Sequence, residues 1–241
     1  MCSLKYIQGK LERIRRIGRN GIAWVRNRLE LDKEIILSQG LVYSTTLILV
    51  WIGYNLNLVE WLKRAGQRVA EKTGNNRERY TLIIIDTYAI LKWVVATELW
   101  INREQSRAAI ILAWYLLASN LFTYIYYHLW DESAYSSLRL ASIRRRLINA
   151  IQAFSFSNLV YGYFYDVVYC PEFSWSGEKE SIGSLAFSVG NSLTVNYGDI
   201  TPATTAGRII AVSQLVVTFA LVAAIIAKTL GSAVDNKNTA L

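Results

Sequence analysis

Apolar positions along this chain fall in long blocks separated by short, mostly basic stretches. Ile35 to Leu62, Tyr80 to Trp100, Ala108 to Trp130, Leu147 to Tyr169 and a last block opening at Gly207 make up the set. Each approaches or reaches the roughly 20 residues that carry a helix through about 30 Å of hydrocarbon. Ile209 to Ala227 contains no charged residue. Between the first two blocks, residues 63–79 hold Lys63, Arg64, Arg68, Lys72, Arg77 and Arg79, and the pattern predicts a polar linker without a core. Ahead of the first block, Leu4, Ile7, Leu11, Ile14 and Ile17 recur every three or four residues. That spacing predicts a helix with one apolar and one basic face, suited either to lying along anionic headgroups or to packing on its own protein.

One region departs from this rhythm. Cys170 to Glu180 is short and polar, contains Pro171 and Gly177, and reads as an exposed turret. Ser181 to Leu193 is moderately apolar but too short to cross a bilayer, and an irregular stretch rich in Thr, Gly, Asp and Pro follows it. A half-span and non-helical chain between two full spans predict a re-entrant loop, because backbone that leaves the helix at membrane depth must line a cavity or be buried in protein. The organisation read from the pattern is a basic segment over 1–34, membrane helices over 35–146, a helix, loop and helix module over 147–232, and a short tail over 233–241. The fold class is an all-α integral membrane protein.

Composition sharpens this picture. Hydrophobic residues make up 53% of the chain, and its 8 Trp and 15 Tyr gather near block ends, as at Trp51, Trp61, Trp100, Trp130, Tyr169 and Trp175. Rings with a polar edge favour the headgroup level. The net charge of +8 lies outside the apolar blocks. With several spans in the chain, anionic membrane lipid accounts for it better than nucleic acid, for which no water-facing domain is long enough. Cys2 and Cys170 are isolated, so no disulfide framework is expected, and the basic start lacks the apolar core of a secretory signal before residue 35. His128 is the single histidine. Without a metal-ligand cluster, a phosphate-cradling loop or a nucleophile elbow, no enzyme activity and no cofactor are expected. Asp86, Lys92 and Glu98, six residues apart in apolar surroundings, are expected to seek internal partners, and Asp166 reads as a buried acid.

The sequence Thr194-Val195-Asn196-Tyr197-Gly198-Asp199 resembles the signature of the potassium-channel pore-loop family in five of six positions. The likeness runs on through Ile200-Thr201-Pro202 into Gly207-Arg208-Ile209-Ile210-Ala211, similar to the start of the family's inner helix, and back to Ser181–Leu193, which matches its pore helix. It covers roughly residues 147–230. The resemblance implies an outer helix, pore helix, selectivity filter and inner helix, and a homotetramer in a cell membrane, multi-pass, whose four loops close one pore. It implies that potassium ions, the transported species, shed water for oxygens of Thr194, Val195, Asn196 and Tyr197, with Gly198 supplying a positive φ. Asp199, Gly190 and Asn191 are then expected to support the filter, and Ser213, Gln214 and Thr218 to face a cavity or gate.

Several positions depart from the family's pattern. Asn196 stands where glycine is usual; asparagine enters the left-handed region more readily than most other residues. A nonselective cation channel and a nonconducting scaffold or sensor therefore stand beside the potassium channel as readings. Gly190 occupies the place of a pore-helix glutamate, Ala186 that of a tryptophan, and Thr218 that of a hinge glycine. Three or four membrane helices precede the module, depending on whether Ser133–Arg146 forms a separate short helix. The fourth would give a voltage-sensor-like front half, although the arginines lack regular spacing through apolar sequence, so strong voltage sensing is not expected. No regulatory domain is expected after the last helix.

Overall fold

The computed structural model describes residues 45, 52–74, 77–129, 139–177, 181–195 and 200–238. The chain divides into two compact units, Met1–Tyr54 and Asn55–Leu241. In the first, residues 52–54 are helical; the expected amphipathic helix over 1–34 and most of the first apolar block lie outside the described residues.

The second unit opens with α1, Leu58–Thr73. Its start is set by Asn57, whose extended backbone (φ −77°, ψ 113°) lets its side chain accept the Val59 N–H. Its end is set by Gly74, left-handed at φ +68°, whose N–H reaches the Ala70 carbonyl. Here the expectation of a coreless linker is corrected. Val59, Glu60, Gly66 and Ala70 are buried along one face, with Gly66 set directly against Ile84 of the helix that follows.

Helices α2, Arg77–Ile101, and α3, Arg107–Leu129, follow. Asn102 to Ser106 joins them. Arg103 there is left-handed (φ +51°), with Glu104 N–H bonded to the Leu99 carbonyl and Arg103 N–H to the Trp100 carbonyl. This is the six-to-one and five-to-two pairing of a Schellman cap, closed without glycine.

Helix α4 is continuous over Arg139–Tyr163. Residues 139–146 are therefore its first turns and not part of a separate short helix. At its far end it widens into a π-helical turn, Phe164–Val168, where Tyr169 N–H reaches back to the Phe164 carbonyl at 2.7 Å. A single 3₁₀ turn, Cys170–Glu172, leads into strand β1, Phe173–Trp175. Then come α5, Ser181–Ser192, strand β2, Ile200–Pro202, and the long α6, Thr205–Asn238.

β1 and β2 pair antiparallel, Trp175 opposite Ile200 and Phe173 opposite Pro202. The turret is thus only partly exposed, since Phe173 is buried and its strand is joined to the chain that follows the signature. Glu172 completes the join: its carbonyl accepts Ala203 N–H at 2.9 Å and its carboxylate accepts the Thr204 hydroxyl. Thr204 in turn accepts Gly207 N–H and caps α6.

Among the described residues, two helices are long and apolar enough to cross a membrane, over Arg107–Tyr126 and Thr205–Ile226. α2 and α4 have 25 residues each but carry more polar side chains. An aromatic core binds α2, α3 and α5 to α4 and its π-helical turn. Phe156, Tyr161, Tyr163, Phe164 and Tyr165 are essentially sealed from solvent, with Trp93 and Trp114 packed against them. Tyr165 meets both Phe173 and Phe187 edge-on, at 5.0 and 4.9 Å between ring centres. A smaller cluster of Tyr124, Ala153, Leu221 and Ala224 binds α6 to α3 and α4.

Candidate functional site

The signature begins where α5 ends, and the manner of that ending positions its first two residues. Val195 N–H bonds to the Gly190 carbonyl at 2.8 Å and Thr194 N–H to the Asn191 carbonyl at 3.0 Å, a second Schellman cap. The left-handed residue in it is Thr194, at φ +59°. A β-branched side chain pays about 1–2 kcal/mol to sit there, so the surroundings must hold it. Asn196, Tyr197, Gly198 and Asp199 lie outside the described residues.

The hold comes from behind. Asn191 sends its amide Nδ2 to the Ala211 carbonyl at 3.0 Å and to Gln214 Oε1 at 2.9 Å, both on α6. Gln214 Oε1 also accepts the Tyr165 hydroxyl at 2.7 Å, and its Nε2 lies 3.0 Å from Asn158 Oδ1 and 2.8 Å from the Ser188 carbonyl. Ser188 Oγ donates to the Asn158 carbonyl at 2.9 Å. Five side chains from α4, its π-helical turn, α5 and α6 thereby share one closed polar network.

Gln214 is 1% exposed. It was expected at a water-filled cavity, yet the structure places it inside the chain's own packing, where α4, α5 and α6 converge. Ser213 is half-buried and joined to the Tyr161 hydroxyl at 3.0 Å, and Thr218 is half-buried further along α6. Gly190 is buried in the last turn of α5. The outward stripe of α6 is instead apolar: Ile209, Val212, Val216 and Phe219 are exposed by 62%, 56%, 62% and 74%.

A second polar node sits at the other end of α5. Asp166, on the π-helical turn, is 1% exposed. Its Oδ2 accepts Trp100 Nε1 at 2.8 Å and the Ser181 hydroxyl at 2.7 Å, while Oδ1 lies 3.2 Å from Arg103 Nη2. Gln105 Nε2 donates to the Val167 carbonyl and the Tyr163 hydroxyl to the Glu104 carbonyl, so the whole corner between α2 and α3 is fastened to this turn. The sequence marks the acid but not its partners: Trp100 and Arg103 lie 66 and 63 residues upstream and Ser181 lies 15 downstream. Gly162 closes the same junction, since a Cβ there would lie 2.6 Å from the Trp100 ring and 3.5 Å from the Leu185 backbone.

Of the three spaced charges in α2, Lys92 donates to Asn120 Oδ1 and lies 4.6 Å from the centre of the Phe156 ring, contacts with an amide and a π-face. Glu98 accepts the Asn102 amide. No cluster of three metal-ligating side chains occurs among the described residues.

Residues 150–234 match a family of proteins described as ion channels. Neither curated proteins nor solved structures gave a match to the chain. The matched segment opens within α4 and closes within α6, with α5 and its capped end at Thr194 between them. This stretch of a largely helical chain with two apolar helices long enough to span a membrane is thus similar to the ion channels of that family.

Proposed function

We propose that the chain is a potassium-conducting channel in which four copies bring the segment Thr194 to Gly198 around one axis. Dehydrated ions pass between carbonyl oxygens of Thr194, Val195, Asn196 and Tyr197, with the Thr194 hydroxyl at the inner end. One observation carries the reading. A helix of 12 residues, about 18 Å long at 1.5 Å per residue and so too short to span, ends in a cap that presents Thr194 and Val195 between two long helices. The negative end of the α5 dipole then faces the place where a cation loses its water. The exposed apolar stripe of α6 supports assembly, because it needs lipid or neighbouring copies to cover it.

Asn196 favours a second reading, a channel of relaxed selectivity, because its side chain replaces the hydrogen of the usual glycine. Purified protein in liposomes separates the readings through the reversal potential in mixed sodium and potassium. A potential following the potassium gradient supports the proposal and one near zero supports the relaxed filter. Silence under varied voltage, pH and lipid refutes conduction and leaves a membrane scaffold or sensor.

A further inference from the structure

We infer that Gln214 is a positioning residue for the filter, acting through Asn191 on the backbone of Thr194 and Val195. The inference rests on the conducting reading above. Its basis is that the inner end of the signature is tied, through Asn191, to a buried amide of the inner helix.

The chain of contacts is short. Thr194 and Val195 hang by their N–H groups on the carbonyls of Asn191 and Gly190. Asn191 is fixed laterally by both of its amide protons, one on the Ala211 carbonyl and one on Gln214 Oε1. Gln214 has its own capacity filled: two donors on Oε1, from Tyr165 and Asn191, and two acceptor residues at Nε2, Asn158 and Ser188. An amide with both ends satisfied in a dry interior has one orientation of low energy, since a flip would set donor against donor. That orientation aims its oxygen at Asn191.

The need for such a device follows from residues 190 and 194. Gly190 brings no side chain to the back of the loop, and Thr194 occupies a strained backbone region that relaxes unless it is held. Gln214 and Asn191 supply the restraint from the inner helix. Any displacement of α6 at this level is therefore passed to the filter within two hydrogen bonds.

The test compares Gln214→Leu, Asn191→Ala and the reciprocal pair Asn191→Gln with Gln214→Asn, which exchanges the two side-chain lengths across the same gap. Ser157→Ala serves as a control: a buried hydroxyl on α4 bonded to Asn120 and the Ala153 carbonyl and not to α5. Each full-length protein is reconstituted in liposomes, and the potassium-over-sodium permeability ratio and the decay of current at constant driving force are read. Gln214→Leu and Asn191→Ala should each lower the ratio or speed the decay by about tenfold, the effect of losing one buried hydrogen bond. The reciprocal pair should recover most of the loss, and Ser157→Ala should leave both readouts at the parent value. A conducting parent whose two single variants keep both readouts overturns the positioning role alone, as does an equal change in Ser157→Ala. A silent parent protein overturns the conducting reading, and this inference with it.

Discussion

Replacing Asp166 tests how α2 and the α2–α3 corner hold α5, and the structure sets the size of each effect. Asp166→Leu removes the acceptor for three donors, but they are not equally stranded. Ser181 is exposed and Arg103 keeps 53% of its side chain in solvent, so both recover partners in water. A half-exposed ion pair of this kind contributes about 1 kcal/mol or less after screening. The Trp100 indole N–H lies in the half-buried aromatic junction, and losing its acceptor costs about 1–3 kcal/mol. Asp166→Leu should therefore destabilise by about 2–3 kcal/mol in all, and Asp166→Asn, which retains an oxygen for Trp100 and Ser181, by about 1 kcal/mol. Arg103 adds a sharper discrimination because of its left-handed backbone. Arg103→Ala loses the pair and keeps the strain, whereas Arg103→Gly loses the pair and recovers about 1 kcal/mol of backbone energy, so glycine should be the more stable of the two. Thermal unfolding midpoints in one fixed detergent give the ranking. An Asp166→Leu protein melting with the parent, or Arg103→Gly melting below Arg103→Ala, would refute the reasoning.

Thr194→Gly should raise the melting midpoint by relieving the strain at φ +59°, and should lower potassium flux in liposomes because the proposed inner ligand is lost. Gly207→Ala places a Cβ 2.4 Å from the Glu172 carbonyl oxygen; the backbone must move, and a loss of about 1–3 kcal/mol should appear as a lower midpoint. Asn196→Gly should increase the potassium-over-sodium permeability ratio, read as a shift of reversal potential toward the potassium value, and an unchanged ratio removes Asn196 from ion preference.

The short helix between two long ones is legible in the sequence because its signals are local. The pattern predicts a half-helix over Ser181–Leu193 and α5 spans Ser181–Ser192, since length and the change to Thr, Gly and Asp mark its extent. Helix α1 was missed for a specific reason. Its buried face is carried largely by Gly66 and Ala70, which add little to a hydropathy pattern, while Lys63, Arg64 and Arg68 dominate the eye. Gln214 was misplaced because a polar residue on an apolar helix has two physical outlets, water or a buried partner. The partner here is an asparagine 23 residues away, on α5. The β1–β2 pairing rests on three residues per strand, too few for alternation to register.

The anchoring of Asp166 also bears on transplantation. The family-matched segment starts at residue 150, whereas Trp100 and Arg103 lie well before it. A graft carrying residues 150–234 alone would inherit a sealed carboxylate stripped of its cation and its indole, together with an aromatic wall no longer covered by Trp93 and Trp114. Swapping this segment into another scaffold thus demands that the α2–α3 corner travel with it, and chimaeras joined after Ser106 begin with a broken junction.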